Sequence, residues 1–371
     1  MKIGLNATCL NDRPSGAKQR FAGIYGEVIK RLPEVEFVVY NPVDCRVSDW
    51  FAGAPNVTAR QTPLPSDGRV RKFLGGLGYW PKAFRSENFD LFEGFNQPLI
   101  KAPTGRTILT IHDVRRMHAE WGTWERGVYR FALEKALKSA DHLITVSETM
   151  KDEILGFFPG VSISVIYNGL DVNGFNALSA SDLQFTRQKY NLPQDFLLVV
   201  GHYERRKNYH RLIDAIAMLR DRGNACNLVI IGNDSGERKA IEARVASANL
   251  SGHVTLLSGL TDHEVRSAYR LARLFVFPSS YEGFGIPILE AMAAGCPMVL
   301  SDLPVFREIA QNTGIYFQHD DPEEMASAIE CALSADSERT SQIEFGYQRV
   351  SDFSFQELAG QLETLYRAML K

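Results

Sequence analysis

Much of what marks particular protein classes is missing from this chain of 371 residues. Its five cysteines, Cys9, Cys45, Cys226, Cys296 and Cys331, are scattered and include no C-x-x-C pair. An odd, unclustered set excludes a disulfide framework and a zinc ribbon and suits a reducing compartment. No run approaches the roughly 18 apolar residues needed to cross a bilayer. The opening MKIGLNATCL lacks the apolar core of a secretory signal and reads as a first strand. Charge of one sign is also scarce, at a net -3. Residues 1–172 hold 22 Lys/Arg against 19 Asp/Glu, or +3, and the remainder carries -6. That basic excess suits an anionic partner and is too small to argue for nucleic acid. No G-x-G-x-x-G follows an early strand. Gly75-Gly76-Leu77-Gly78 has no strand before it, and Gly283-Phe284-Gly285 lacks the third glycine, so a hydride-transferring enzyme is disfavoured.

What is there fits two ordinary cores. Hydrophobic residues make up 45% and charged residues 23%, the composition of globular domains. Short apolar runs alternate with helical patterns in both halves. In the first half the expected strands are Lys2–Leu5, Phe37–Tyr40, Leu91–Glu93, Thr107–Thr110, His142–Val146 and Ile163–Ile166, with helices such as Phe21–Arg31 and Arg126–Lys138 between. In the second they are Phe196–Val200, Leu228–Ile231, Val254–Leu257, Leu274–Phe277 and Met298–Leu300. Runs of this kind, bounded by Gly, Pro or polar turns, read as buried parallel strands. Leu212, Ile213, Ile216 and Leu219 share one helix face, and Thr261 with Glu264 forms a capping box for another. The alternation implies two open parallel sheets covered by helices. The polar stretch 172–195 is the expected linker.

In such sheets ligands bind beyond the carboxyl ends of the strands. After Leu274–Phe277 comes Pro278-Ser279-Ser280-Tyr281-Glu282-Gly283-Phe284-Gly285, then a helix with Pro287 in its first turn and Gly295 at its end. Glycines let the backbone approach a ligand closely, and a helix N-terminus favours phosphate. Glu282 in the loop and Glu290 in the helix can accept bonds from sugar or ribose hydroxyls. Anion and hydroxyl recognition together suit a sugar nucleotide.

The string from Pro278 to Met292 strongly resembles the E-x(7)-E signature of glycosyltransferase family 4, on its mannosyltransferase-like branch in bacterial lipopolysaccharide and exopolysaccharide synthesis. Ser147-Glu148, Tyr167-Asn168-Gly169-Leu170-Asp171, Gly201 through Lys207-Asn208 and Phe353-Ser354-Phe355 extend the resemblance over nearly the whole chain. It implies a GT-B fold, two Rossmann-like parallel-sheet domains facing across a cleft. Residues 1–172 would bind the acceptor, with helix 355–371 packing back on them, and residues 173–354 would bind the nucleotide sugar. The implied activity is retaining hexosyl transfer, mannose first, from a nucleoside-diphosphate sugar to a saccharide acceptor, expected to be lipid-linked. An epimerase or a non-catalytic subunit of the same fold is the alternative.

The resemblance also implies residue roles. Glu282 would hold hydroxyls of the donor sugar and Glu290 the ribose. Main-chain N–H groups of Gly283, Phe284, Gly285 and Ile286 would meet the diphosphate or sugar, and Lys207 would neutralise the departing phosphate. Family members often carry Arg directly after the loop glycine, where this chain has His202, so Arg206 is expected as the second cation. Gly16, in Ser15-Gly16-Ala17, matches a glycine loop closing over diphosphate and acceptor. His112, in His112-Asp113, would reach the donor sugar. The chain has no D-x-D, the metal signature of the other main glycosyltransferase fold, so no metal and no other cofactor is expected.

Residues 69–85 carry Arg69, Arg71, Lys72, Lys82 and Arg85 among Phe73, Leu74, Leu77, Tyr79, Trp80 and Phe84, with no acid. Arg106, Arg115 and Arg116 extend the basic surface. Basic and aromatic residues together suit an anionic membrane interface. Gly75, Gly76 and Gly78 weaken a regular helix, so a loop with a short helix is expected. The chain is thus expected in the cytoplasm, peripheral on the inner membrane face, with no nucleic-acid partner.

Overall fold

The computed structural model describes residues 1–13, 15–95, 100–118, 121–334 and 336–370, without the side chains of residues 69 and 336–338. The chain divides into two compact units, residues 1–169 with 354–371, and residues 170–353. Each is built on a wholly parallel sheet.

The first unit has seven strands: β1 (Lys2–Asn6), β2 (Glu36–Asn41), β3 (Val57–Gln61), β4 (Leu91–Gly94), β5 (Arg106–Ile111), β6 (His142–Thr145) and β7 (Ile163–Val165). Their order is β3-β2-β1-β4-β5-β6-β7. The edge strand β3 has no apolar run, because most of its side chains meet solvent, so hydrophobic patterning gives no sign of it. Gly16–Arg20, a π-helical turn Phe21–Tyr25 and Gly26–Arg31 form one continuous helical run. Ser15 caps it, its hydroxyl accepting from Lys18 N at 3.2 Å. Gly16 is therefore the first helical residue rather than a residue of an open loop.

The closing helix Phe355–Met369 belongs to the core of this unit. Leu358, Ala359, Leu362 and Tyr366 are fully buried there. Each large apolar side chain so placed contributes about 1.5–3 kcal/mol of transfer free energy. Gly23 lets the helix approach, since an added Cβ there would run into the ring of Phe355. Beneath it Glu93 of β4 is buried, accepting from Tyr25 Oη and Thr110 Oγ1, both at 2.6 Å, and from Tyr366 Oη at 2.5 Å. Burial raises its pKa while the hydroxyls pull it back.

One expectation fails for the segment 69–85. It forms a single fifteen-residue helix, Arg69–Ala83, glycines included. Packing overrides propensity here: Trp80 is buried among Tyr40, Phe84 and Phe92. A Cβ on Gly75 would lie 2.9 Å from Leu64, so at least one of the glycines permits the approach. The side chain of Arg69 lies outside the described residues.

The second unit has β8 (Leu197–Val200), β9 (Leu228–Ile231), β10 (Val254–Leu257), β11 (Leu274–Phe277), β12 (Met298–Ser301) and β13 (Gly314–Phe317), ordered β10-β9-β8-β11-β12-β13. The stretch 172–195 is not an open linker. It folds as helices Asn173–Asn176 and Ala180–Lys189 within this unit. Ser179 and Asp182 form a capping box. Lys189 Nζ and Tyr190 Oη donate to Glu264 at 2.6 and 2.9 Å, tying the second helix to the one Thr261 caps. Polarity of sequence reflected an exposed helix face, not absence of structure.

Candidate functional site

In the second sheet β8 lies between β9 and β11. Connections from these neighbours run in opposite directions, and the loops leaving the carboxyl ends of β8 and β11 diverge around a crevice. Those loops hold Gly201–Asn208 and Pro278–Gly285. After β8, Arg205–Lys207 form one 3-10 turn, and Asn208, at φ 58, starts the helix Tyr209–Asp221. After β11, Gly285 at φ 109 starts the helix Ile286–Ala294, with proline in its first turn, and Gly295 at φ 65 ends it. Left-handed φ values favour glycine at both ends. Ser280 stitches the loops together, its N and Oγ donating to the Arg206 carbonyl at 2.8 and 3.2 Å.

The crevice residues converge on one carboxylate. Glu282 Oε1 accepts from Lys207 Nζ at 2.7 Å and from Ser279 Oγ at 2.9 Å, and it pairs with Arg206 Nη1. Arg206 Nε donates to Glu204 at 2.8 Å. Lys207 Nζ also sits 4.9 Å from the centre of the Phe277 ring, a cation–π contact. The Lys207 and Glu282 side chains are 8% and 11% exposed, so this is a shielded pair rather than a screened surface one.

Burial opposes the Glu282 charge, but Lys207 and Arg206 outweigh it and hold the carboxyl at about 2. Burial draws the Lys207 ammonium below its ordinary value, partly offset by Glu282 and reinforced by Arg206. Burial also opposes the Arg206 charge, yet Glu282 and Glu204 push its pKa up. One ionised carboxylate therefore sits between two cations.

Glu290 differs. Its Oε2 accepts from Tyr269 Oη at 2.9 Å. Burial raises its pKa to about 7, with Tyr269 pulling down and Asp262 pushing up. At neutral pH Glu282 is thus fully ionised while Glu290 stands near its titration midpoint, a difference set by their surroundings. Gly283, Phe284, Gly285 and Ile286 run from Glu282 into the helix that carries Glu290.

His112 and Gly16 belong to the first unit. His112 follows β5 and lines a cavity of about 850 Å³ with Ala17, Arg20, Tyr25 and Thr110. Burial, with the charge of Arg20, lowers its pKa to about 3. Its imidazole is neutral at physiological pH and can hydrogen-bond but not donate an acidic proton. Gly16 starts the helix whose next turn supplies Arg20.

Several residues of these sites escape sequence reading. Ser279, three residues before Glu282, is near enough in sequence to suspect. Tyr269 lies on the preceding helix, and only packing brings it to Glu290. Arg20 is buried, donating to the Ile166 and Tyr167 carbonyls at 2.8 and 2.6 Å. Its Nε and Nη2 have no partner among the described residues. No group of three or more His, Cys, Asp or Glu fit to hold a metal occurs among the described residues.

Two parallel α/β units of seven and six strands, with a cation–carboxylate cluster at the switch point of the second, define a protein of the GT-B class. Residues 182–349 match the model of glycosyl transferases group 1, and residues 30–173 match that of Glycosyltransferase Family 4. The chain thus carries both of these glycosyltransferase domains, which together reach from residue 30 to residue 349. It is 32% identical over 234 residues to the O-antigen chain mannosyltransferase RfbU of Salmonella typhimurium, covering 62% of this chain and 61% of that relative. It is 28% identical over 269 residues to O-antigen chain mannosyltransferase B of Escherichia coli, covering 71% of each. Among solved structures, Anabaena HepE in complex with UDP-glucose superposes with a TM-score of 0.78 at 19% identity, over 99% of this chain and 100% of that one. The matched region thus spans about three-fifths of the length of the Salmonella relative.

Proposed function

We propose that this glycosyltransferase is a retaining, metal-independent mannosyltransferase of surface-polysaccharide synthesis. It moves mannose from a nucleoside-diphosphate sugar, GDP-mannose first, to a saccharide on a lipid-linked acceptor. The observation that carries the reading is the pairing of Lys207 and Arg206 with one buried carboxylate, Glu282, at the switch point of the second sheet. The O-antigen mannosyltransferases among its relatives support mannose. UDP-glucose in the HepE complex supports a nucleotide sugar as donor.

In this mechanism the arriving diphosphate takes over Lys207 and Arg206, and Glu282 is released to accept bonds from hydroxyls of the donor sugar. Fixed cations act most strongly where charge grows, on the leaving phosphate in the transition state. Glu290 accepts from the ribose. His112, neutral, donates a hydrogen bond to the sugar. The nucleotide leaves and the acceptor hydroxyl arrives on the same face of an oxocarbenium-like centre, and a phosphate oxygen takes the acceptor proton. In this reading Glu282 is a positioning group, not a nucleophile, because its released oxygens are taken up by hydroxyls of the donor sugar.

The test is a thermal-shift panel of UDP-, GDP- and ADP-sugars, followed by turnover assays of Glu282→Ala and Glu290→Ala. A GDP-mannose shift well above the others and at least hundredfold loss of turnover in Glu282→Ala are expected. A UDP preference overturns the donor, and wild-type turnover in both variants overturns the site. No helix among the described residues is long and apolar enough to cross a membrane, so membrane contact in this reading is peripheral.

A further inference from the structure

Two helices of the first unit carry apolar side chains that are about half exposed or more. Among the described residues, seven of the eleven exposed large apolar side chains lie there. Val70, Phe73, Leu74 and Leu77 are on the helix Arg69–Ala83; Trp124, Val128 and Phe131 are on Thr123–Ser139. Spacings of three, four and seven residues place each set along one face of its helix. Both helices already bury another part of their surface, Trp80 on the first and Leu133, Ala136 and Leu137 on the second. The exposed stripes are therefore additional to what folding needs, and clustering on this scale marks a binding surface.

The two stripes share their cavities. Phe73 and Leu74 line the 850 Å³ cavity with Trp124 and Val128. Phe73 and Leu77 line an adjoining cavity of about 520 Å³ with Phe131. The charged side chains of this second cavity are of one sign: Lys72, Lys101 and Lys135, with no carboxylate among its lining residues. Lys72 is anchored, its Nζ donating to the Ser66 carbonyl at 2.7 Å. Lys101 and Lys135 are exposed, have no acidic partner among the described residues, and line the same cavity. A purely apolar occupant would leave the three ammonium groups around the cavity without a counter-charge. A free phosphate would leave the aromatic walls unused. The occupant that satisfies both is amphipathic, with an anionic head and a hydrocarbon chain.

We propose that this cavity binds a lipid phosphate, its phosphate held by Lys72, Lys101 and Lys135 and the first part of its hydrocarbon chain lying between the two apolar stripes. Naming that lipid as the carrier of the sugar acceptor rests on the transferase reading above; the binding site itself does not. Lysines suit the role because a lipid phosphate is a compact charge that needs no forked geometry.

The probe is farnesyl diphosphate, followed by calorimetry on the full chain with saturating nucleoside diphosphate to occupy any nucleotide site. Inorganic diphosphate and farnesol serve as single-feature controls. Farnesyl diphosphate is expected to bind at least tenfold more tightly than either control. The Lys101→Ala/Lys135→Ala double variant and Phe131→Asp are each expected to weaken it at least tenfold, with the melting temperature unchanged. Equal binding of inorganic diphosphate, equal binding of farnesol, or unaltered affinity in the lysine variant overturns the proposal. So does concentration-dependent self-association abolished by Phe131→Asp, which would assign the stripes to a second copy, or binding to anionic vesicles that farnesyl diphosphate does not inhibit. Nucleotide-sugar thermal shifts on the same variants separate the two readings: their loss in wild type with farnesyl diphosphate binding intact would remove the transferase proposal and leave this one.

Discussion

Lys207 Nζ lies 2.7 Å from Glu282 Oε1, and Arg206 is paired to the same carboxylate. The chain thus holds its two cations in place by a shared counter-ion, which the donor displaces in the proposed mechanism. Replacing Lys207 by Met keeps its length and removes its charge. Steady-state assays should show kcat lower by about 10²–10³, the usual effect of deleting one charge-stabilising donor. An unchanged kcat would show that Lys207 does not meet the leaving group.

Glu282→Gln tests the same pair through stability. Removing one member of a buried pair leaves its partner uncompensated, at a cost of about 3–5 kcal/mol. Here two cations lose their shared carboxylate, while Glu204 still bonds Arg206, so a value near the lower limit is expected by denaturant unfolding. Because the Glu282 carboxyl is held at about 2, its stabilisation is fully present above the ordinary glutamate range. It is lost only as pH falls toward 2.

Glu290 makes the opposite prediction for pH. Its pKa is raised to about 7, so the folded chain keeps a proton that the unfolded chain has lost. Its contribution to stability therefore declines as pH rises from the ordinary glutamate range to about 7. Donor affinity moves the other way, because the ionised carboxylate is the better acceptor for ribose hydroxyls. The donor Kd should fall as pH rises through 7, and Glu290→Gln should flatten that profile in calorimetric titrations.

Gly201→Ala tests how tightly Lys207 is placed. An added Cβ would stand 3.0 Å from Lys207 Cε and 3.1 Å from Tyr209 Oη. The Lys207 side chain can yield, so the fold should survive while turnover drops at least tenfold. Gly232→Ala differs, because its Cβ would collide with the Gly201 carbonyl. Backbone cannot yield so readily, and a lowered melting temperature is expected.

Excess EDTA should leave turnover of the purified enzyme unchanged, since Lys207 and Arg206 are assigned the charge that a divalent ion supplies elsewhere. Loss of activity, restored by Mg²⁺ or Mn²⁺, would transfer that role to a metal.

The sequence by itself determined the parallel α/β class, because short apolar runs bounded by turns alternate with amphipathic helices. It also determined the helix Ile286–Ala294, since Pro287 and Gly295 are local signals that need no partner. Glu282 and Lys207 could be named from motifs 75 positions apart. Sequence could not show that they share one ion pair, or that Glu282 and Glu290 differ in charge state. Those depend on burial and on neighbours such as Tyr269, which reach the site through the order of strands. The same holds for the strand Val57–Gln61, whose exposed side chains follow no apolar pattern, and for residues 172–195, whose helices form against Glu264. Arg69–Ala83 is helical despite three glycines because Trp80 packs into an aromatic core. Local chemistry set the elements; long-range packing set the charges, the pairings and the exposed stripes, because each depends on what surrounds a residue rather than on what precedes it.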